Sequence, residues 1–154
     1  VKHLILGAAA MAAIVTTAAA QNRAPAAADA IHARQGRYKQ MAAAMKGIRD
    51  ELRGGTPEIA PIREGSHLIA GYALQLLRWF PRGTGAETGV RTRARPEIWS
   101  DAAGFHRAGA ELLVAARALE AAAQSGDIAR IRAAAPQVAH ACSACHDDYR
   151  APEQ

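Results

Sequence analysis

The chain has 154 residues, half of them hydrophobic, with 19 Lys and Arg set against 14 Asp and Glu for a formal charge of +5. That length suits one domain around a single core. The charge is modest and has no long basic run, which argues against a dedicated nucleic-acid binder while still suiting an acidic protein partner.

At the N-terminus Lys2 and His3 precede an apolar run from Leu4 to Val15, and Ala18-Ala19-Ala20 offers a small-residue cleavage site before Gln21. This predicts a secretory signal peptide over residues 1–20; the alternative, a retained membrane anchor, needs a longer and less alanine-rich span. Its removal would leave 134 residues with a charge near +4, since only Lys2 is lost from the charged set. Residues 21–28 read as a flexible leader before a domain over 29–154.

From Asp29, a candidate N-cap, apolar groups recur at Ile31, Tyr38, Met41, Met45, Ile48 and Leu52, the narrow stripe of a helix packed on a partner. Gly54-Gly55 should stop it. Thr56-Pro57 then opens a second helix through Ile62, Leu68, Ile69, Tyr72, Leu76, Trp79 and Phe80 to Pro81, with Pro61 tolerated near its start. Residues 81–95 are rich in Gly, Thr and Arg without periodicity and read as a long surface loop.

A third helix is expected from Pro96, its stripe being Ile98, Phe105, Leu112 and Leu119, and Ser125-Gly126-Asp127 should break it. A fourth runs from Ile128 to Tyr149, with a kink or break at Pro136. Four helices and no strand candidate predict an all-α antiparallel four-helix bundle.

The fourth helix carries Cys142-Ser143-Ala144-Cys145-His146. Cys-x-x-Cys-His is the attachment signature of c-type haem. On a helix these three residues share one face, so two thiols can add to the two vinyl groups while the imidazole becomes an axial ligand of the iron. A zinc site would want more ligands than two cysteines and scattered single histidines, and a thioredoxin-like dithiol would want a βαβ setting. One haem c, covalent through Cys142 and Cys145 with His146 on the iron, is the expectation, and it agrees with export, because this haem is attached outside the bacterial cytoplasm. No cysteine is left for a structural disulfide. Alanine is abundant and aromatic residues make up only 5% of the chain, so side chains alone supply little core volume. The core reads as built around the cofactor.

A four-helix chain with this motif on its last helix resembles cytochrome c′, the class II c-type cytochromes. Arg34-Gln35-x-x-Tyr38-Lys39 looks like that family's first-helix segment, Arg95-Pro96-Glu97-Ile98-Trp99-Ser100-Asp101 like its third-helix opening, and Cys142 to Arg150 like its haem-binding end. The resemblance covers residues 29–151. It implies a five-coordinate iron held by His146, with the bulky Tyr38 over the opposite face; neutral tyrosine is a poor ligand.

It also implies Arg34, with Gln35, toward a haem propionate, and Trp99 packed near the haem edge. Arg150 is either a basic neighbour of the His146 imidazole or a solvated cation favoured by the helix end. His32, His67, His106 and His140 read as exposed or locally bonded. The competing arrangement is a six-coordinate His/Met electron carrier with Met41 as sixth ligand, although Met at helical spacing usually fills core.

The function implied is periplasmic binding of nitric oxide and carbon monoxide with one-electron redox change, not enzymatic turnover, since no distal His and Arg pair stands ready for peroxidase-like chemistry. The expected partners are the diatomic gases, a redox protein and a second copy of the chain in a homodimer, with neither nucleic acid nor, after signal removal, membrane.

Overall fold

The computed structural model describes secondary structure for residues 8–153 and side chains for residues 26–153. The motifs of the expected export signal over 1–20 lie outside the residues whose side chains are described. Among the described residues five α-helices and two short 3-10 turns make an all-α bundle, with one isolated antiparallel bridge between Ala94 and Arg150. None of these helices is long and apolar enough to cross a membrane.

Helix α1 spans Ala8–Arg53. It runs unbroken through Asp29, so that residue caps nothing, contrary to the sequence expectation. The alanines on both sides have the highest helix propensity and outweigh a lone cap signal. The helix stops at Gly54, whose amide donates to the Glu51 carbonyl at 3.0 Å.

Helix α2 covers Ile59–Gln75 and opens from an extended Glu58, two residues later than Thr56-Pro57 suggests. It tightens into a 3-10 turn over Leu76–Trp79. The Arg63 side chain reaches the carbonyls of Ala123 (3.0 Å) and Gln124 (3.2 Å), tying the start of α2 to a neighbouring helix end.

The single helix expected from Pro96 is two pieces, α3 over Glu97–Ser100 and α4 over Ala102–Ser125. Asp101 interrupts it with φ −110° and ψ 58°, then caps α4 by accepting from the Gly104 amide at 3.0 Å. Its other oxygen accepts from the Tyr149 hydroxyl at 2.8 Å. Gly104 has to be glycine here, because a Cβ would run into both the Asp101 carboxylate and that hydroxyl.

Gly126 turns the chain at φ 72°, and Asp127 caps α5, Ile128–Tyr149, by accepting from the amides of Ala129 (2.9 Å) and Arg130 (3.1 Å). Helix α5 continues through Pro136 without the expected break. Pro136 and Arg132 are both exposed, so water can take the carbonyl that the missing N–H leaves free.

Helix α1 packs on α2, α2 on α4 and α4 on α5, whereas α1 and α5 scarcely meet. Toward the Gly126 turn the bundle closes on buried aliphatics: Ile48, Ile62, Leu119 and Ile131. Toward the other end the gap between α1 and α5 stays open.

Candidate functional site

That gap is a cavity of about 650 Å³, within the usual range for a cofactor pocket. Arg34, Gln35, Tyr38, Met41 and Met45 line it from α1, Ile69 and Leu76 from the α2 segment, and Phe105 and Leu112 from α4. Cys142, Cys145, His146 and Arg150 line it from the end of α5.

Both thiols are free and partly buried. Burial pushes the Cys142 thiol above its ordinary acidity range, and burial with Cys142 and Asp148 nearby takes Cys145 up to about 11. They are therefore S–H groups at neutral pH, the opposite of the acidic thiol that a thioredoxin-like dithiol needs. Among the described residues no group of three His, Cys, Asp or Glu side chains could hold a metal ion.

The His146 imidazole is held below its ordinary pKa, first by burial, then by Arg150 and Arg93, against a smaller opposing effect of Asp147. That favours the neutral ring, the form with a lone pair to give a metal.

Tyr38 packs edge-on to Trp79 with ring centroids 5.5 Å apart and tilts against Phe80 at 6.3 Å. Burial raises the pKa of its hydroxyl, and the nearby Cys145 adds to this while Arg34 opposes it, so Tyr38 stays a phenol and not an anionic ligand. All seven aromatic side chains of the protein form one contact network. It runs from Tyr72 through Trp79 and Tyr38 to Phe80, which touches Trp99 and Phe105, and Phe105 meets Tyr149. The cofactor end of the bundle thus carries nearly all of its ring surface.

Arg34 is only 2% exposed. Its guanidinium donates to the Thr84 hydroxyl (2.8 Å), the Thr84 carbonyl (2.7 Å) and the Thr92 hydroxyl (2.9 Å), and lies 4.8 Å from the Phe80 ring centroid. Gln35 donates to the Arg91 carbonyl at 2.9 Å. The 81–95 stretch is therefore a strap bound to α1, with its own Thr84 buried against Arg34. Leaving a buried guanidinium donor unmatched costs about 1–3 kcal/mol or more, so these threonines fix both the strap and the arginine.

The strap's other end is fastened to the tail of α5. The Arg95 amide donates to the Tyr149 carbonyl (3.1 Å), and the Ala151 amide donates to the Arg93 carbonyl (2.8 Å).

Trp99 is the sequence-singled residue that stands apart. It does not line the cavity; its indole N–H donates to the Phe80 carbonyl at 3.0 Å and its ring faces a shallow depression beside Arg82 and Glu87. Ile98 takes the cavity-facing position instead. The remaining helical histidines, His32, His67, His106 and His140, are exposed, and His67 Nδ1 lies 2.7 Å from Glu120 Oε1.

The sequence reading missed Arg93, Thr84 and Thr92, which sit in an aperiodic loop. It also gave Phe80, Phe105 and Tyr149 no part in the site, although the heptad stripe already marked Phe105 as inward-facing.

Two neutral thiols and a neutral imidazole on one wall, apolar rings and aliphatics around the space and cations at its rim are a donor set that fits a covalently held porphyrin with an anionic edge. A helical bundle built this way, with the attachment motif on its last helix, is a class II c-type cytochrome. The family model for cytochrome c′ matches residues 29–150. Cytochrome c′ from Alcaligenes xylosoxydans xylosoxydans is 37% identical over 123 residues, covering 79% of this chain and 93% of that one. A solved cytochrome c′ described as having an unusual ligand-controlled dimer dissociation superposes with a TM-score of 0.76 at 27% identity, over 82% of this chain and 97% of that one. A nitric oxide complex of a variant cytochrome c prime from Alcaligenes xylosoxidans superposes with a TM-score of 0.73 at 32% identity, over 81% and 95%. The chain belongs to the cytochrome c′ family, and its cofactor is a covalently held haem c.

Proposed function

We propose that this protein is exported by a signal over residues 1–20 and works in the periplasm, where it binds nitric oxide and carbon monoxide at a haem c with one protein ligand. It is a gas-binding and electron-transfer protein rather than an enzyme. Cys142 and Cys145 would hold the porphyrin through two thioethers, and His146 would bind the iron through an imidazole nitrogen. When bound, the haem supplies an iron that changes by one electron and accepts a diatomic gas.

The observation that carries this reading is Tyr38 on the wall opposite His146: a half-buried phenol, kept protonated, that fills space without offering a strong donor. Met41, Ile69, Leu76 and Phe105 surround it with apolar surface and exclude water and anions, so a small neutral ligand is favoured. Arg34 and Gln35 line the cavity from α1, where the donors that the buried Arg34 guanidinium keeps beyond Thr84 and Thr92 would meet an anionic propionate, and Arg150 lines it near His146. Trp99 supports the site from behind, through Phe80. The nitric oxide complex of a related cytochrome c prime agrees with gas binding. A homodimer belongs to the same reading, in keeping with the relative whose dimer dissociates under ligand control.

The absorption spectrum of the purified ferrous protein tests it. A high-spin spectrum that shifts on adding nitric oxide is expected. A low-spin spectrum in the reduced state, with a sulfur-to-iron charge-transfer band on oxidation, would make Met41, one turn from Tyr38 and also lining the cavity, a sixth ligand and overturn the proposal.

A further inference from the structure

We infer that Arg93, a strap residue outside the haem signature, is a positioning residue that sets the reduction potential of the site from the His146 side, with Glu153 as its opposing charge. The inference rests on the haem c reading and adds to it a residue that no sequence motif marks.

The geometry is that of a fixed cation. Arg93 lines the cavity together with His146, Arg150 and Glu153. Its Nε donates to the Ala151 carbonyl at 2.7 Å and its Nη1 to Glu153 Oε1 at 2.6 Å. Its own carbonyl accepts from the Ala151 amide at 2.8 Å, and the neighbouring Ala94 bridges to Arg150. Backbone and side chain are thus pinned to the tail that follows α5, at Ala151 and Glu153, so the guanidinium is held where a long flexible side chain would otherwise wander.

Its side chain is 33% exposed, and that of Glu153 is 83% exposed. Water and salt screen the carboxylate far more than the guanidinium. The pair is therefore not neutral toward the cavity: a net positive field reaches the His146 side.

A positive field disfavours the oxidised, more positively charged form of an iron site and favours the reduced one. Arg93 should then raise the potential and Glu153 should lower it, the arginine having the larger effect. A purely structural role predicts something else, since loosening the strap from either side would disturb the site in the same direction.

The test uses holoprotein whose covalent haem has been verified by denaturing mass spectrometry; a native chain without that mass would sink the haem reading itself and not this inference. Spectroelectrochemical titration of Arg93→Gln is expected to show a lower potential than the native protein. Arg93→Lys keeps the charge while losing the Nε contact and should stay near native. Glu153→Gln, which removes the charge at an exposed position and leaves an amide oxygen able to accept from Arg93, should move the potential upward, and added salt should shrink that shift more than the Arg93→Gln shift. Equal drops in Arg93→Gln and Arg93→Lys, or a Glu153→Gln potential that falls or stays put, would overturn the inference. If Arg93→Gln fails to assemble, the Arg93→Lys and Glu153→Gln measurements decide it.

Discussion

A chain carrying both Cys142→Ser and Cys145→Ser is expected to leave a competent maturation system without a covalent porphyrin and to melt far below the native protein. The expectation follows from the way α1 and α5 fail to meet. The space between them is about 650 Å³ and open to the surface, so without the porphyrin its apolar lining stays in water, at a cost of about 25 cal/mol for each Å² left unburied. A typical domain has only about 5–15 kcal/mol of stability to set against that loss. Helices rich in alanine have little side-chain volume with which to close over the gap. Denaturing mass spectrometry reads the first half of the prediction and thermal unfolding followed by circular dichroism reads the second. Porphyrin mass persisting in the double variant would refute the attachment assignment, and an unchanged melting temperature would refute the view that the cofactor holds the core together.

Tyr38→Ala is expected to bind carbon monoxide and nitric oxide about 10- to 100-fold faster. On the proposed reading a gas would reach the face opposite His146 only if the ring yields, and the ring is held edge-on to Trp79 and tilted against Phe80. Each such contact is worth about 0.5–1.5 kcal/mol, so displacing both costs about 1–3 kcal/mol, which spans that range of rates. Tyr38→Phe keeps the ring and both contacts and should bind at near-native rates, separating bulk from the hydroxyl. Stopped-flow mixing of the ferrous proteins with either gas gives the comparison. Rates unchanged in Tyr38→Ala would remove Tyr38 from the path of the ligand.

The parts of the site legible in the sequence are those written locally. Cys142, Cys145 and His146 lie within five residues, and the helix period alone places them on one face. The α1 stripe is also local, and Met41, Met45 and Ile48 are buried as its spacing requires. Arg34 shows where local reading stops. It occupies a core position of that stripe, but its partners, Thr84 and Thr92, come from a loop about fifty residues away that has no periodicity to betray them. The same holds for Arg93, one arginine among several in that loop until the tail of α5 pairs with it. That Ile98, not Trp99, lines the cavity is hidden for a different reason: the helix after Pro96 is only four residues long, too short a stretch to fix which side chain faces inward. The Asp101 cap is written as an acidic residue before small ones, but the heptad spacing of Ile98, Phe105, Leu112 and Leu119 runs straight through it and masks the break.

Gathering every aromatic ring at one end of the bundle gives the protein a built-in optical reporter. Trp79 and Trp99 both belong to that network, so a bound porphyrin lies within easy range to drain their excited states. Indole emission should be nearly dark in the loaded, folded molecule and should brighten as the helices part, which makes unlabelled fluorescence a direct gauge of how closely the chain embraces its pigment.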